Sequence, residues 1–468
     1  MEISEQLIVH SPYDNELVGV VKDYSSREIT DILKKVAQNT EKLDKTERLS
    51  AIKRLGNIVQ EQKQVLATLI SKESGLCKKD SLYEVGRTEA LIQLSHEFLI
   101  NTDSDEQDIV DISDRFRVNE SHNMMDVIQT PVNLVAAITP FNHPINQVSH
   151  KVVPNFLANA NMVLKPSEKT PLSAVAFFKL LYEAGFPSSQ YQIVTSSDPV
   201  KALEAMLNCE QLEVLAYTGS LRNGHKVAQA IAQSQNPFLH QVYELGGNSA
   251  LYVSKKADIK MAATIALGAF KNSGQRCTSI KRLLIHENIA DIFLDEFLPL
   301  VEKLQYGNPY DENTDVGCVI SNKSAMCIER RVNNAVRNGG NVLLGHYKKG
   351  AVYSPTVIDN VPKDAELVVE ETFGPVAPII RVDSMEDALQ IVNNSKYGLA
   401  GAIVTEDEKE AKSYFSRINV GQFSWNGQPG FRFEHSPFGG FRMSGNFQKE
   451  GLLMAADNYR KIRTFYTH

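Results

Sequence analysis

Cys277 stands in Asn272-Ser273-Gly274-Gln275-Arg276-Cys277-Thr278-Ser279, a stretch of small and polar residues with a cation beside the thiol and a flexible glycine just before it. A reactive cysteine needs access, a nearby positive charge and backbone N–H groups free to bind an oxyanion, and this composition suits each need. The plainer reading is a small core residue, because free cysteine is among the most buried residue types. The other cysteines, Cys77, Cys209, Cys318 and Cys327, are widely spread and form no CxxC pair. An odd total without such pairs suggests neither a disulfide framework nor a zinc site, so free thiols are expected.

A thiol with such a role must be held by a rigid frame, and the apolar pattern predicts one. From about Leu134, runs rich in Val, Ile and Leu (Leu134 to Thr139, Met162 to Lys165, Tyr191 to Thr195, Val214 to Tyr217) are each followed by helix-like segments. That alternation belongs to βα units on a parallel sheet. One predicted helix, Leu172 to Ala184, ends at Gly185, with Pro187 as a further stop. A second α/β run starts near Gly246: strand Ala250 to Val253, helix Ile259 to Ala269, strand Arg282 to His286, helix Ile289 to Leu304, then Asn341 to Gly345. Ser26 to Ile100 reads as largely helical, its Glu and Lys runs as solvated faces. Asp114 to Pro131 and Asn458 to Thr467 break this rhythm with β-prone patterns, and they could pair with each other or with another subunit. No internal repeat, low-complexity tract or clear interdomain linker is evident.

Composition narrows the chemistry. The 468 residues, 43% hydrophobic and 22% charged, suit two or three globular domains with a large core. A net charge of -7 without a basic run argues against a surface for nucleic acid. Met1 to Glu5 is acidic, with no basic segment leading into an apolar one, and windows such as Met261 to Phe270 fall short of the roughly 20 residues that span a bilayer. The expectation is a cytoplasmic protein that acts on a small molecule. Several familiar motifs fail. No GxGxxG occurs; Gly219 to Lys226 has His225 where a phosphate loop needs lysine; His286-Glu287 has Ala290 where HExxH needs its second histidine. No metal site is expected, and no serine lies in the frame of a strained nucleophile turn.

Pro140-Phe141-Asn142-His143-Pro144 is followed along the chain by Leu164-Lys165-Pro166-Ser167-Glu168, Thr218-Gly219-Ser220, Glu244-Leu245-Gly246-Gly247, the Cys277 stretch, Glu371-Thr372-Phe373-Gly374-Pro375 and Pro437-Phe438-Gly439-Gly440. In this order and near this spacing, the seven motifs resemble the NAD(P)-dependent aldehyde dehydrogenase superfamily, over nearly the whole chain from about Arg87. The resemblance implies an α/β, aldehyde dehydrogenase-like fold: a Rossmann-type cofactor domain over 1–113 and 132–245, an α/β catalytic domain over 246–450, and a β-strand oligomerisation arm over 114–131 and 451–468. It also implies oxidation of an aldehyde to an acid. Cys277 would add to the carbonyl carbon, with the oxyanion held by the Asn142 amide and the Cys277 N–H. The thioester left behind would be hydrolysed by water activated by Glu244. Lowering the thiol pKa could fall to Arg276, a helix end or the cofactor.

The same resemblance places Lys165 and Glu168 at the adenosine ribose, Gly219 and Ser220 at the pyrophosphate, and Glu371 and Phe373 at the nicotinamide ribose and ring. A carboxylate at Glu168 repels a 2′-phosphate, which favours NAD while leaving NADP possible. Ser220 could instead be only a helix N-cap. Arg276, Arg432 and His143 look like the branch acting on small anionic aldehydes, including phosphonoacetaldehyde and lactaldehyde dehydrogenase-like enzymes. The two arginines could instead form ion pairs within the fold, or Arg276 could tune Cys277. Arg87 is the one candidate for a further arginine anchor. Phe141, Trp425, Phe431 and Phe433 keep apolar aldehydes in play. A CoA-acylating or broad-specificity enzyme and a catalytically silent binding homologue are the alternatives. A homodimer or homotetramer is expected.

Overall fold

In the computed structural model, which describes residues 5–101, 110–115 and 125–467, the apolar runs become the inner strands of two sheets. The first sheet has five parallel strands in the order Tyr191–Ile193, Asn161–Lys165, Leu134–Ile138, Val214–Thr218, His240–Glu244. Alternate residues explain why these runs are apolar throughout. Val135, Ala137, Met162, Leu164, Val214 and Ala216 enter a core on one face, while Leu134, Ala136, Val163, Leu215 and Tyr217 enter a core on the other. A strand covered on both faces has no polar side to show.

The second sheet runs Asn341–Leu344, Thr356–Asp359, Val376–Val382, Ile280–His286, Ser249–Val253, Ala400–Val404, Gln422–Trp425, parallel except for its first pair. It too is covered on both faces: Tyr252, Leu284 and Ile380 face one core, and Leu251, Leu283 and Ile379 the other. The strand ending at Glu244 is joined to the one starting at Ser249 by four residues, Leu245 to Asn248. The carboxyl edge of the first sheet is therefore set directly beside the amino edge of the second.

Four helices precede the sheets, Ser26–Ala37, Lys45–Glu61, Lys63–Ser74 and Lys78–Asn101, the first two opened by capping boxes from Ser25 with Glu28 and Asp44 with Glu47. Two buried carboxylates from this group cap helices of the first sheet. Glu73 accepts the N–H groups of Leu172 and Ser173, both at 2.8 Å, at the start of Pro171–Ala184. Glu84 accepts those of Ile145 and Asn146, at 2.8 and 3.1 Å, at the start of Asn146–Ala158. Acceptors at helix starts satisfy free donors and meet the positive end of the helix dipole. Glu84 thereby also pins the Pro140–Pro144 turn. Gly185 caps Pro171–Ala184 at φ 102°, which accounts for the helix stop.

Of the two pairings open for the β-prone segments, the one within the chain is present. Arg460–Tyr466 lies antiparallel to Met125–Pro131, which also pairs with Val110–Asp111. The 116–124 part of the first segment lies outside the described residues. Leu452–Asn458, which the sequence reading grouped with the arm, is a helix packed on Asn146–Ala158, with Leu452 and Ala456 in the first core. No helix among the described residues is long and apolar enough to cross a membrane.

Candidate active site

Parallel sheets expose ligand sites beyond their carboxyl edge, where the strand order reverses. Here the reversal falls between Leu134–Ile138 and Val214–Thr218, and the segments that follow carry Pro140, Phe141, Asn142, Thr218, Gly219 and Ser220 into one cavity of about 250 Å³. Glu244 reaches it from the last strand of the first sheet, and Cys277, Glu371 and Phe373 reach it from loops ahead of strands of the second. The structure thus brings together Cys277, Glu244, Asn142, Gly219, Ser220, Glu371 and Phe373.

The chain turns sharply to deliver Cys277. Asn272, Ser273 and Gly274 all take left-handed backbone angles, φ 58°, 53° and 68°, after the helix Ile259–Ala266 has tightened into the turn Leu267–Ala269. Each left-handed non-glycine residue costs roughly 1–2 kcal/mol. Packing holds the strain: the Asn272 N–H donates to Asp80 Oδ2 at 2.8 Å, and a Cβ on Gly274 would collide with the Gly374 carbonyl. The Asn142 amide donates to the Gln275 carbonyl at 2.8 Å, so one of its two N–H groups is fixed and the other stays free to serve the cavity. No hydrogen bond from the Cys277 N–H is formed among the described residues.

Burial pushes the Cys277 thiol up, the Lys281 ammonium pulls it down, and the carboxylates of Glu371 and Glu244 push it up again. Lys281, not Arg276, is therefore the leading cation at the thiol. Its Nζ donates to the carbonyls of Arg276 and Cys277, at 2.6 and 2.9 Å, and pairs with Glu371 at 3.2 Å. Arg276 points elsewhere, its guanidinium 5.2 Å from the Tyr83 ring and its Nε buried without a partner.

Glu244 is 3% exposed, and neither carboxyl oxygen has a hydrogen-bond partner among the described residues. Burial pushes its pKa up to about 8, against the pull of Lys151, Arg432 and Lys449. Lys151 is itself buried, pushed down to about 8 by desolvation, and paired with Glu450, which lines the same cavity.

Along the first sheet, Ser220 is the N-cap of Leu221–Ala232, accepting the Asn223 N–H at 3.3 Å, and so does perform the capping role. Beside it, Thr218 Oγ1 is buried without a partner. Lys165 closes its strand with Nζ 3.1 Å from the Pro166 carbonyl, and the field of the half-buried Glu168 acts on it. Glu371 accepts the Gly247 N–H at 3.1 Å, and Phe373 meets Phe141 edge-on at 6.0 Å.

The residues expected to hold an anion separate. Arg432, half-buried and not itself among the residues lining the cavity, keeps Nη1 buried without a partner among the described residues, its guanidinium 4.0 Å from the ring of Phe438, which does line it. Burial lowers its pKa to about 10, and Cys277 and Glu244 both lie within its field. Arg87 is taken up by Glu434. His143 does not line the cavity; its Nδ1 is 3.4 Å from Glu84, and burial keeps the ring neutral by lowering its pKa. Of the aromatic candidates, Phe141 lines the cavity, whereas Trp425, Phe431 and Phe433 are exposed.

Sequence reasoning missed Lys281, Lys151, Glu450 and Glu434. Lys151 and Lys281 left a local signal, each a lysine within a buried element, Asn146–Ala158 and Ile280–His286. Glu434 and Glu450 act through partners distant in the chain.

A model described as the aldehyde dehydrogenase family matches residues 2–465. The chain is 34% identical to 3-sulfolactaldehyde dehydrogenase of Priestia aryabhattai, over 92% of this chain and 89% of that protein. It is 30% identical to lactaldehyde dehydrogenase of Methanococcus aeolicus, over 97% and 96% respectively. A crystal structure of NADP-dependent glyceraldehyde-3-phosphate dehydrogenase from Bacillus halodurans, complexed with NADP, superposes with a TM-score of 0.89 at 28% identity, covering 100% of this chain and 96% of that one.

The raised pKa of Glu244 has a sign that can be checked. Its folded pKa lies above the ordinary carboxylate value of about 4.3, so its contribution to stability is full below that value and is lost as pH rises toward about 8. Glu244→Gln is expected to melt close to wild type at acid pH and several degrees above it at alkaline pH, read by thermal denaturation across that range.

Proposed function

Because the chain belongs to the aldehyde dehydrogenase family, whose reaction is NAD(P)-dependent oxidation of an aldehyde to an acid, we propose that it oxidises small aldehydes with an anionic tail, using NAD. The observation that carries this reading is Arg432: a half-buried guanidinium whose Nη1 is buried and unpaired among the described residues, within whose field Cys277 and Glu244 both lie. Such a group is complementary to a carboxylate, sulfonate or phosphate. Relatives of this chain include a sulfolactaldehyde and a lactaldehyde dehydrogenase, which supports a short, polar substrate.

In this reading Cys277 Sγ attacks the aldehyde carbon, and the tetrahedral hemithioacetal directs its oxyanion to the free Asn142 N–H and the Cys277 N–H. When bound, the nicotinamide supplies the acceptor for the hydride that leaves this carbon. The chain fits such a dinucleotide: the unpartnered Thr218 Oγ1 and the start of Leu221–Ala232 suit the pyrophosphate, and Lys165 with Glu168 the adenosine ribose. Cys277 is left as a thioester. Glu244 then takes a proton from water that attacks the acyl carbon, a role suited to a carboxyl group poised near neutrality. A base held for water supports hydrolysis over transfer to CoA.

Cys277→Ala should abolish cofactor reduction with every aldehyde, followed by absorbance; turnover at the wild-type rate ends the proposal. Replacing Arg432 by Gln should cut kcat/KM for anionic aldehydes by about 10–100-fold, the worth of a charge-assisted hydrogen bond, and leave neutral ones within about threefold. Equal losses on both would remove the anionic tail. Glu168→Gln should improve use of NADP relative to NAD, because a half-buried acceptor for the ribose hydroxyls that has lost its charge no longer repels a phosphate; an unchanged ratio would dismiss its part in cofactor choice.

A further inference from the structure

Two residues beyond Arg432, the Glu434 carboxylate accepts both arms of the Arg87 guanidinium, at 2.7 and 3.0 Å, and a ring N–H of His150 at 2.9 Å. The chemistry above makes no use of it. Burial pushes Glu434 up, but His150 and Arg87 outweigh burial and hold it well below the usual carboxylate range, so it stays ionised. His150 is pushed down to about 4 by burial and is a neutral donor. Arg87 and Arg432 lie in one another's field.

The charges around the proposed tail can be added up. Arg87 and Arg432 are positive, Glu434 is negative and His150 carries none. Lys151 is matched by Glu450. Glu244 keeps its proton below about 8. Arg276 and the buried Glu84 act on His143 in opposite senses. Lys281 is matched by Glu371, and Lys449, whose field reaches Glu244, donates to the Gly439 carbonyl. Among the groups in whose field Arg432 lies, Arg87, Glu434, Cys277 and Glu244, one positive charge remains, on the arginine whose Nη1 has no partner among the described residues. A tail with one negative charge neutralises it. A second negative charge would be buried without a counterion and near the ionised Glu434, where like charges repel strongly.

We propose that Glu434 sets the charge the site accepts: by neutralising Arg87 it leaves a single free cation at Arg432 and selects aldehydes with a singly charged tail over those with a doubly charged one. The claim rests on the reading that Arg432 holds an anionic tail. Sulfonates and carboxylates are therefore the favoured class, and phosphates and phosphonates are disfavoured at any pH where their second proton is lost. Glu434 acts through Arg87 and makes no contact with the reacting atoms, so it is a specificity-determining residue. Discrimination of this kind comes from a repulsive element as much as from an attractive one.

Sulfoacetaldehyde and phosphonoacetaldehyde test it, because their tetrahedral tails are alike in shape and differ by about one charge at about pH 7.5, below the pH at which Glu244 and Lys151 lose their protons. Propanal serves as the uncharged control. Wild type should favour the sulfonate by at least about tenfold in kcat/KM, a measurement that needs no variant. Glu434→Gln should erase most of that ratio through a lower KM for phosphonoacetaldehyde, a gain that structural damage does not produce. Glu434→Gln combined with Arg87→Gln returns the net charge to one and should restore the wild-type ratio. If both anions are preferred over propanal yet equal to each other in wild type, or if the ratio is unmoved in Glu434→Gln, the role of Glu434 is overturned while the anionic site stands. If neither anion is preferred over propanal, the site at Arg432 falls and this proposal falls with it.

Discussion

The cavity exists because two backbones approach more closely than any side chain permits. A Cβ on Gly247 would lie 2.6 Å from the Cys277 carbonyl oxygen, well inside contact distance, so the link between the sheets and the cysteine loop can touch only through glycine. That contact sets the loop against the end of the strand carrying Glu244. Lys281 ties the same junction from the other side, bonding the Arg276 and Cys277 carbonyls and pairing with Glu371, which in turn accepts the Gly247 N–H. Three segments from different parts of the chain are closed into one unit, and the left-handed run at Asn272–Gly274 is the strain such closure holds.

Charge inside this unit is distributed unevenly. Lys281 spends its positive charge on Glu371, and Lys151 on Glu450, so each behaves largely as a neutral pair. Among the described residues Arg432 has no such mate for its Nη1, and Glu244 has none for either oxygen. Buried groups left without partners in a native fold are costly and call for a reason. Under the proposed function a charged substrate and a water molecule supply one, because both groups gain partners when the site is filled.

Much of this was legible in the sequence, and the part that was not shares a cause. Strands such as Leu134–Ile138 and Val214–Thr218 could be read because cover on both faces forces continuous apolar runs. The Gly185 helix stop could be read because a left-handed cap favours glycine. Cys277 stands out by its small, polar surroundings, Asn142 and Glu244 enter through the resemblance of their motifs, and the structure brings the three to one cavity. Pairings could not be read. Arg87 meets Glu434 across 347 residues and Lys151 meets Glu450 across 299, so neither leaves a local pattern, and Arg87 looked like a free anchor when it is neutralised. His143 followed Asn142 and so looked like part of the site, but the turn that presents Asn142 to the cavity sends the next side chain to Glu84.

The two reacting groups also constrain one another. Burial favours the neutral form of both Cys277 and Glu244, and the Glu244 carboxylate pushes the Cys277 thiol up further. Titrations coupled in this way belong to the pair, so ionising one group opposes ionising the other. The cavity accommodates a thiolate beside a protonated Glu244, or a thiol beside a carboxylate, more readily than two anions together. In the proposed chemistry these states are needed one after the other. The thiolate is required for addition, while Glu244 can keep its proton. Once the sulfur is acylated it carries no charge, the repulsion is removed, and the carboxylate that takes a proton from water becomes easier to form at the moment it is used.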